Sequence, residues 1–182
     1  MTCSRSAFLR FALPGAAAVL ALQPRFSFAA GDPTQLSGRY RYAGGRAQRE
    51  KLDQAIEQVV SQLNFMIRGI ARNRLQEGLA VRSSLEFDFS PSHATFRRPG
   101  IPLIRGPHNG SAIKWRNDKN EPVTIYLDLT GNTFKVRYKG DGSDSRYTYR
   151  FDDDGDRLNV RASIYHVRMP EKINYGLTYK RA

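Results

Sequence analysis

Residues 36–78, LSGRYRYAGGRAQREKLDQAIEQVVSQLNFMIRGIARNRLQEG, decide the fold. They begin with strict alternation from Leu36 to Ala43. Leu36, Gly38, Tyr40 and Tyr42 fall on one side, and Ser37, Arg39 and Arg41 on the other, which is the period-two pattern of a half-buried strand. Gly44-Gly45 breaks it. From about Ala47 to Gln76 the period changes. Leu52, Ile56, Val59, Leu63, Met66 and Ile70 recur at spacings of three and four, while Lys51, Glu57, Gln58, Gln62, Arg68 and Arg72 lie largely off that stripe. The pattern predicts an amphipathic helix. Left straight it would be about 45 Å long at 1.5 Å per residue, longer than a small barrel is wide. The reading is therefore one long helix with a kink, or two helices, with Gly69 as the candidate break and Gly78 as the stop.

Everything after the helix reads as strands and turns. Leu85, Phe87 and Phe89 alternate with Glu86 and Asp88; Val123, Ile125, Leu127 and Leu129 alternate with Thr124, Tyr126 and Asp128. Phe134, Val136 and Tyr138 oppose Lys135, Arg137 and Lys139, and Tyr147, Tyr149 and Phe151 oppose Arg146, Thr148 and Arg150. Asp154-Gly155 is a hairpin signal. After Leu158, Val160, Ala162 and Ile164 the apolar phase shifts to Tyr165, Val167 and Met169, which predicts a bulge or sharp bend. Ile173, Tyr175, Leu177 and Tyr179 form the last strand. Short connections demand antiparallel pairing, because a parallel pair needs a long crossover. About eight to ten one-sided strands must cover their own apolar face, either as two sheets or by closing. One helix cannot cover them all. The expected fold is mainly β: an antiparallel meander closing into a barrel, with the helix between strands 1 and 2 as lid or plug. A curved open sheet gripping the helix is the alternative.

The chain's start has a different character. Arg5 and Arg10 precede an apolar run from Phe11 to Leu22, and Ser27-Phe28-Ala29 supplies small residues, so residues 1–29 read as a cleaved signal peptide and 30–182 as a single β-barrel domain. The protein is expected to be exported, periplasmic or secreted. The single cysteine, Cys3, falls in that leader, which leaves no disulfide and no thiolate site in the remainder. No second apolar run is long enough to cross a membrane as a helix. The formal charge of +12 falls to about +9 when Arg5, Arg10 and Arg25 leave with the leader. Such a charge on an exported protein favours anionic lipid or cell-wall glycan over nucleic acid.

Catalytic and metal chemistry find little support. His93, His108 and His166 are far apart with no ligand spacing. Asp152-Asp153-Asp154-Gly155-Asp156 fails as a calcium loop because Arg150 falls at its first ligand position, and it reads as a turn. No hydroxyl has a nucleophile-elbow context, and no glycine-rich phosphate loop is present. No cofactor is expected. The aromatic inner faces carry the main reading. Tyr40, Phe87, Trp115, Tyr138, Tyr149, Tyr175 and Tyr179, with Met66 from the helix, are the candidate ligand-binding residues, since tyrosine hydroxyls on an inner face require partners. Lys135, Arg137, Lys139, Arg146 and Arg150 form a candidate anionic-surface patch on the outer face.

Gly38-Arg39-Tyr40 in the first strand is similar to the Gly-x-Trp of the calycin superfamily, the lipocalins and intracellular fatty-acid-binding proteins. The order strand, helical segment, meander also resembles the fatty-acid-binding proteins, as does the closing Tyr179-Lys180-Arg181-Ala182. The resemblance implies a calycin-like barrel in which Arg181 or Lys180 packs over the first-strand aromatic. That family holds a carboxylate with an Arg-x-Tyr pair in its last strand. Here Tyr179 matches, and Leu177 stands where the arginine would be. The expected function is a non-enzymatic barrel for an apolar or amphipathic small molecule. The alternative is an envelope interaction module whose basic face docks on anionic lipid or glycan.

Overall fold

The computed structural model describes residues 32–117 and 119–182. The leader expected over residues 1–29 lies outside them. After a 3-10 turn at Pro33–Leu36 the elements run β1 (Gly38–Tyr42), α1 (Gly45–Ser61), α2 (Phe65–Gly78), β2 (Ser84–Phe89) and β3 (His93–Arg97). They continue as β4 (Ile104–Pro107), β5 (Asn109–Arg116), β6 (Pro122–Thr130), β7 (Thr133–Gly140), β8 (Ser143–Phe151), β9 (Arg157–His166) and β10 (Ile173–Arg181). The ten strands make one antiparallel sheet in the order β4-β3-β2-β1-β10-β9-β8-β7-β6-β5. β1 pairs on both sides, with Tyr40 opposite Leu85 of β2 and opposite Arg181 of β10.

The sheet curls into a nearly closed barrel, because its apolar side has nothing else to pack against. The seam lies between β4 and β5, which head the two ends of the strand order. Side chains cross it: Trp115 Nε1 donates to the Leu103 carbonyl (3.3 Å), and Ile113 packs against Gly106, where any Cβ would collide with it.

The helical segment splits, as one of the two expectations had it, but not at Gly69. α1 ends at Ser61, and Asn64 restarts the chain as an N-cap whose side chain accepts from Met66 N (3.0 Å). An Asn that satisfies an orphan N–H is a stronger punctuation than a glycine inside a helix, which costs about 1 kcal/mol. The apolar stripe divides with it. Leu52, Ile56, Val59 and Val60 of α1 are buried against Leu79, Ala162, Ile164 and Ile173, so α1 plugs the barrel mouth. α2 buries no residue, and Phe65, Met66, Ile67 and Ile70 are exposed on it. The expectation that Met66 faces the interior is thus corrected: Met66 is 74% exposed. The stripe is continuous in sequence, but only its first half meets the barrel.

Of the bulge or sharp bend expected after Ile164, the bulge is absent and the chain turns only after His166. β9 keeps its phase and its pairing with β8 through His166, and Val167 and Met169 belong to the turn that follows. The sheet's register shift sits in β5, between Asn109 and Ala112.

Candidate functional site

Two cores divide the interior. The floor is solid with rings. Phe87 stacks on Phe96 (centroids 4.9 Å apart) and meets Tyr40, Phe89, Phe134, Tyr149 and Phe151 within 6.0 Å. Below it, Arg181 closes the structure. Its guanidinium carbon lies 5.2 Å from the Tyr40 ring centroid and Nη2 donates to the Tyr40 hydroxyl (3.0 Å). It also donates to the carbonyls of Gln35 (2.8 Å), Ser37 (2.8 Å) and Gly155 (2.9 Å). Of the two candidates for the cap over the first-strand aromatic, Arg181 is the one that fills the role. Gly38 makes room for it: its φ is +151°, and a Cβ there would press within 2.8 Å of Arg181 Nη1.

Towards the mouth the packing opens into a cavity of about 30 Å³, lined by Leu79, Leu85, Val160 and Leu177 and by Tyr147, Tyr149, Tyr175 and Tyr179, with Arg82 and Arg98. That is space for a water or two, whereas ligand pockets span roughly 300–1,000 Å³. The loop from Gly78 to Ala80, at the end of α2, forms its cover. α2 itself is tied to α1 by an Arg72–Glu57 ion pair (Nη2 to Oε2, 2.7 Å), and Arg68 Nε donates to the Leu63 carbonyl in the linker between the two helices (2.9 Å). The apolar anchorage of α2 is the partly buried Leu75 against the α1 cluster. A helix held mostly by exposed polar contacts, with so little apolar burial, is the kind of element that opens locally at small cost.

The lining is amphipathic. Tyrosine hydroxyls are neutral near pH 7 in any case, and burial raises these further, Tyr138 and Tyr179 to about 12 and Tyr149 and Tyr175 well above the ordinary range. Tyr179 donates to the Arg82 carbonyl (3.1 Å). The Tyr138 hydroxyl is buried without a partner. So is Nε of Arg98, whose guanidinium carbon sits 5.2 Å from the Tyr138 ring centroid and 5.4 Å from that of Tyr147.

Of the candidate ligand-binding residues, Tyr149, Tyr175 and Tyr179 line this cavity, and Tyr138 backs it through Arg98. Trp115 stands farther round, edge-on to Tyr138 (6.3 Å). Tyr40 and Phe87 belong to the filled floor, and Met66 is outside. Sequence reasoning missed Arg98. Its signal was parity: Ala94 and Phe96 face inward, and Arg98 continues their phase past the end of β3.

The outer basic face is less charged than its sequence implied. Asp144 accepts from Arg137 Nε (2.9 Å) and Nη2 (2.8 Å) and from Arg146 Nη2 (2.8 Å), and Lys135 pairs with Asp128 (3.5 Å). Among the described residues, Lys139 and Arg150 are the members of the patch without an ion pair. The hydrogen bonds from Arg137 and Arg146 hold the Asp144 carboxyl well below the usual carboxylate range. A lowered folded-state value contributes stability above the ordinary carboxylate range and loses it as acid titrates the group. We therefore expect Asp144→Asn to cost about 1 kcal/mol near pH 7, with the gap from the parent narrowing between about pH 4 and about pH 2. Urea midpoints across that range check it, and a constant gap contradicts it.

This ring order, helical pair and amphipathic interior have the fold of the calycin barrels, in the arrangement of the fatty-acid-binding proteins. Three solved structures share it: lipid binding protein 8 of Caenorhabditis elegans (TM-score 0.51, 10% identity, 81% of this chain and 96% of that one); a mutant of the fluorescent protein UnaG (0.50, 13%, 81% and 96%); and a mutant of the REP1-NXSQ fatty acid transporter (0.50, 11%, 81% and 98%). No protein-family model matches the chain, and no curated protein matches it in sequence.

Proposed function

We propose that this protein is a non-enzymatic carrier barrel that takes an apolar or amphipathic small molecule into its mouth, beneath the end of α2. One observation carries the reading: a cavity with aliphatic walls and neutral tyrosine donors lies beneath the C-terminal end of a helix that buries none of its own residues. The barrels named above for lipid binding and fatty acid transport support it by fold. A cavity of about 30 Å³ is too small to hold the ligand as it stands, so the ligand enters by displacing the cover. Residues 1–29 as a cleaved export leader belong to the same proposal; the mature N-terminal sequence tests that part.

The basic outer face is the weaker alternative for a docking role, because Asp144 and Asp128 already pair with Arg137, Arg146 and Lys135. For the carrier reading, we expect native mass spectrometry of protein from its natural host to retain a small molecule. We also expect the neutral dye phenylnaphthylamine to brighten on titration with a micromolar-range Kd, about −8 kcal/mol. No retained mass together with no dye uptake overturns the proposal.

A further inference from the structure

Arg98 is an interior group that the packing around it leaves incomplete. A buried guanidinium stays cationic, and an uncompensated buried charge costs several kcal/mol. The Tyr138 and Tyr147 rings, 5.2 and 5.4 Å from its centre, offset part of that, since a cation over an aromatic face contributes about 0.5–2 kcal/mol. Among the described residues no carboxylate lies within ion-pair distance of Arg98. Nε has no acceptor, and the buried hydroxyl of Tyr138, over whose ring the guanidinium lies, has no partner either. Two buried donors without acceptors, one of them charged and lining the cavity, define what is missing: an anionic oxygen.

We propose that Arg98, with the Tyr138 hydroxyl, is the anchor for the charged end of an apolar molecule bearing a single anionic group such as a carboxylate or sulfonate. The site is not at the last-strand position, where Leu177 stands, but arises from the end of β3, across the barrel. The ring-filled floor blocks deeper entry, so the charged end sits at Arg98 and the apolar remainder lies toward Leu79 and the cover loop. This inference rests on the carrier reading and adds the ligand's charge to it.

A matched pair of dyes separates the two. Anilinonaphthalene sulfonate and phenylnaphthylamine share one apolar skeleton and differ by the sulfonate. We expect the wild type to bind the anionic dye at least about tenfold more tightly, a difference of about 1.4 kcal/mol. Arg98→Met should bring the ratio near one while leaving neutral-dye binding in place, Arg98→Lys should keep part of the preference, and Tyr138→Phe should lower it a few-fold. Arg97→Met removes the same charge one residue away on the opposite, exposed face and should leave the ratio unchanged. Circular dichroism melts confirm that each variant folds, and the Lys substitution serves where Met does not fold. Equal affinities in the wild type, or a preference that survives Arg98→Met or disappears in Arg97→Met, overturn the anion site and leave the carrier reading standing. Binding of neither dye overturns both.

Discussion

Arg181→Met should lower stability by about 3 kcal/mol, because hydrogen bonds from a charged donor contribute roughly 1.5–3 kcal/mol each and are partly redundant. One guanidinium serves the carbonyls of Gln35, Ser37 and Gly155 and the Tyr40 hydroxyl, while its plane covers the Tyr40 ring. Methionine keeps the stem's apolar contact and removes every donor. The Tyr40 hydroxyl keeps its single proton within reach of the Leu36 (3.1 Å) and Gly155 (2.9 Å) carbonyls, which limits the damage. For a domain of this size the loss corresponds to a fall in Tm of roughly 10 °C. Lys180→Met, at the neighbouring exposed position, should stay within about 0.5 kcal/mol. Thermal melts of the two variants decide the matter, and a shift for Arg181→Met no larger than that for Lys180→Met would reduce the cluster to a surface decoration.

The second large effect is expected at Phe87→Ala, at about 4 kcal/mol, the range for deleting a fully enclosed aromatic. Phe87 is 2% exposed and touches six other rings from β1, β2, β3, β7 and β8. Stiff neighbours held by strand pairing on both sides cannot collapse into the hole. The resulting void is dry and apolar, so a small hydrocarbon such as benzene should raise the variant's Tm while leaving the parent's unchanged. Urea unfolding gives the first number and melts with and without the additive the second. A loss under about 1.5 kcal/mol would show that the floor relaxes freely.

Much of the barrel was legible because its strands follow one rule. Period-two alternation from Val123 to Ile164, and again from Ile173 to Tyr179, places the same residues inside as the structure does, and Gly38, Tyr40 and Arg181 form the contact that the family resemblance implied. The misses share a cause. A sequence pattern records which residues are apolar, not what they will meet. Leu52 and Ile70 belong to one stripe, yet only the first finds the barrel mouth. The apolar Val167 shifted the phase on paper, whereas the ladder simply stops at His166. Arg98 was hidden by the opposite prejudice: a charge next to Pro99 reads as loop, although its parity assigns it inward. How far the rings fill the floor depended on the distances between them, which no one-dimensional pattern contains.

β1 finds its second neighbour in β10, far along the chain, and Arg181 reaches back 146 positions to Gln35. Contacts so distant along the chain are slow to form, because their loop-closure entropy is met before the contact rewards it. Helix α1 and the hairpins from β5 to β9 can assemble from local contacts, but the ring waits for its final clasp. Until then the edges of β1 and β9 stay open to any strand that meets them, so dilute refolding or a holding chaperone should raise the yield of monomer more than any change to the core.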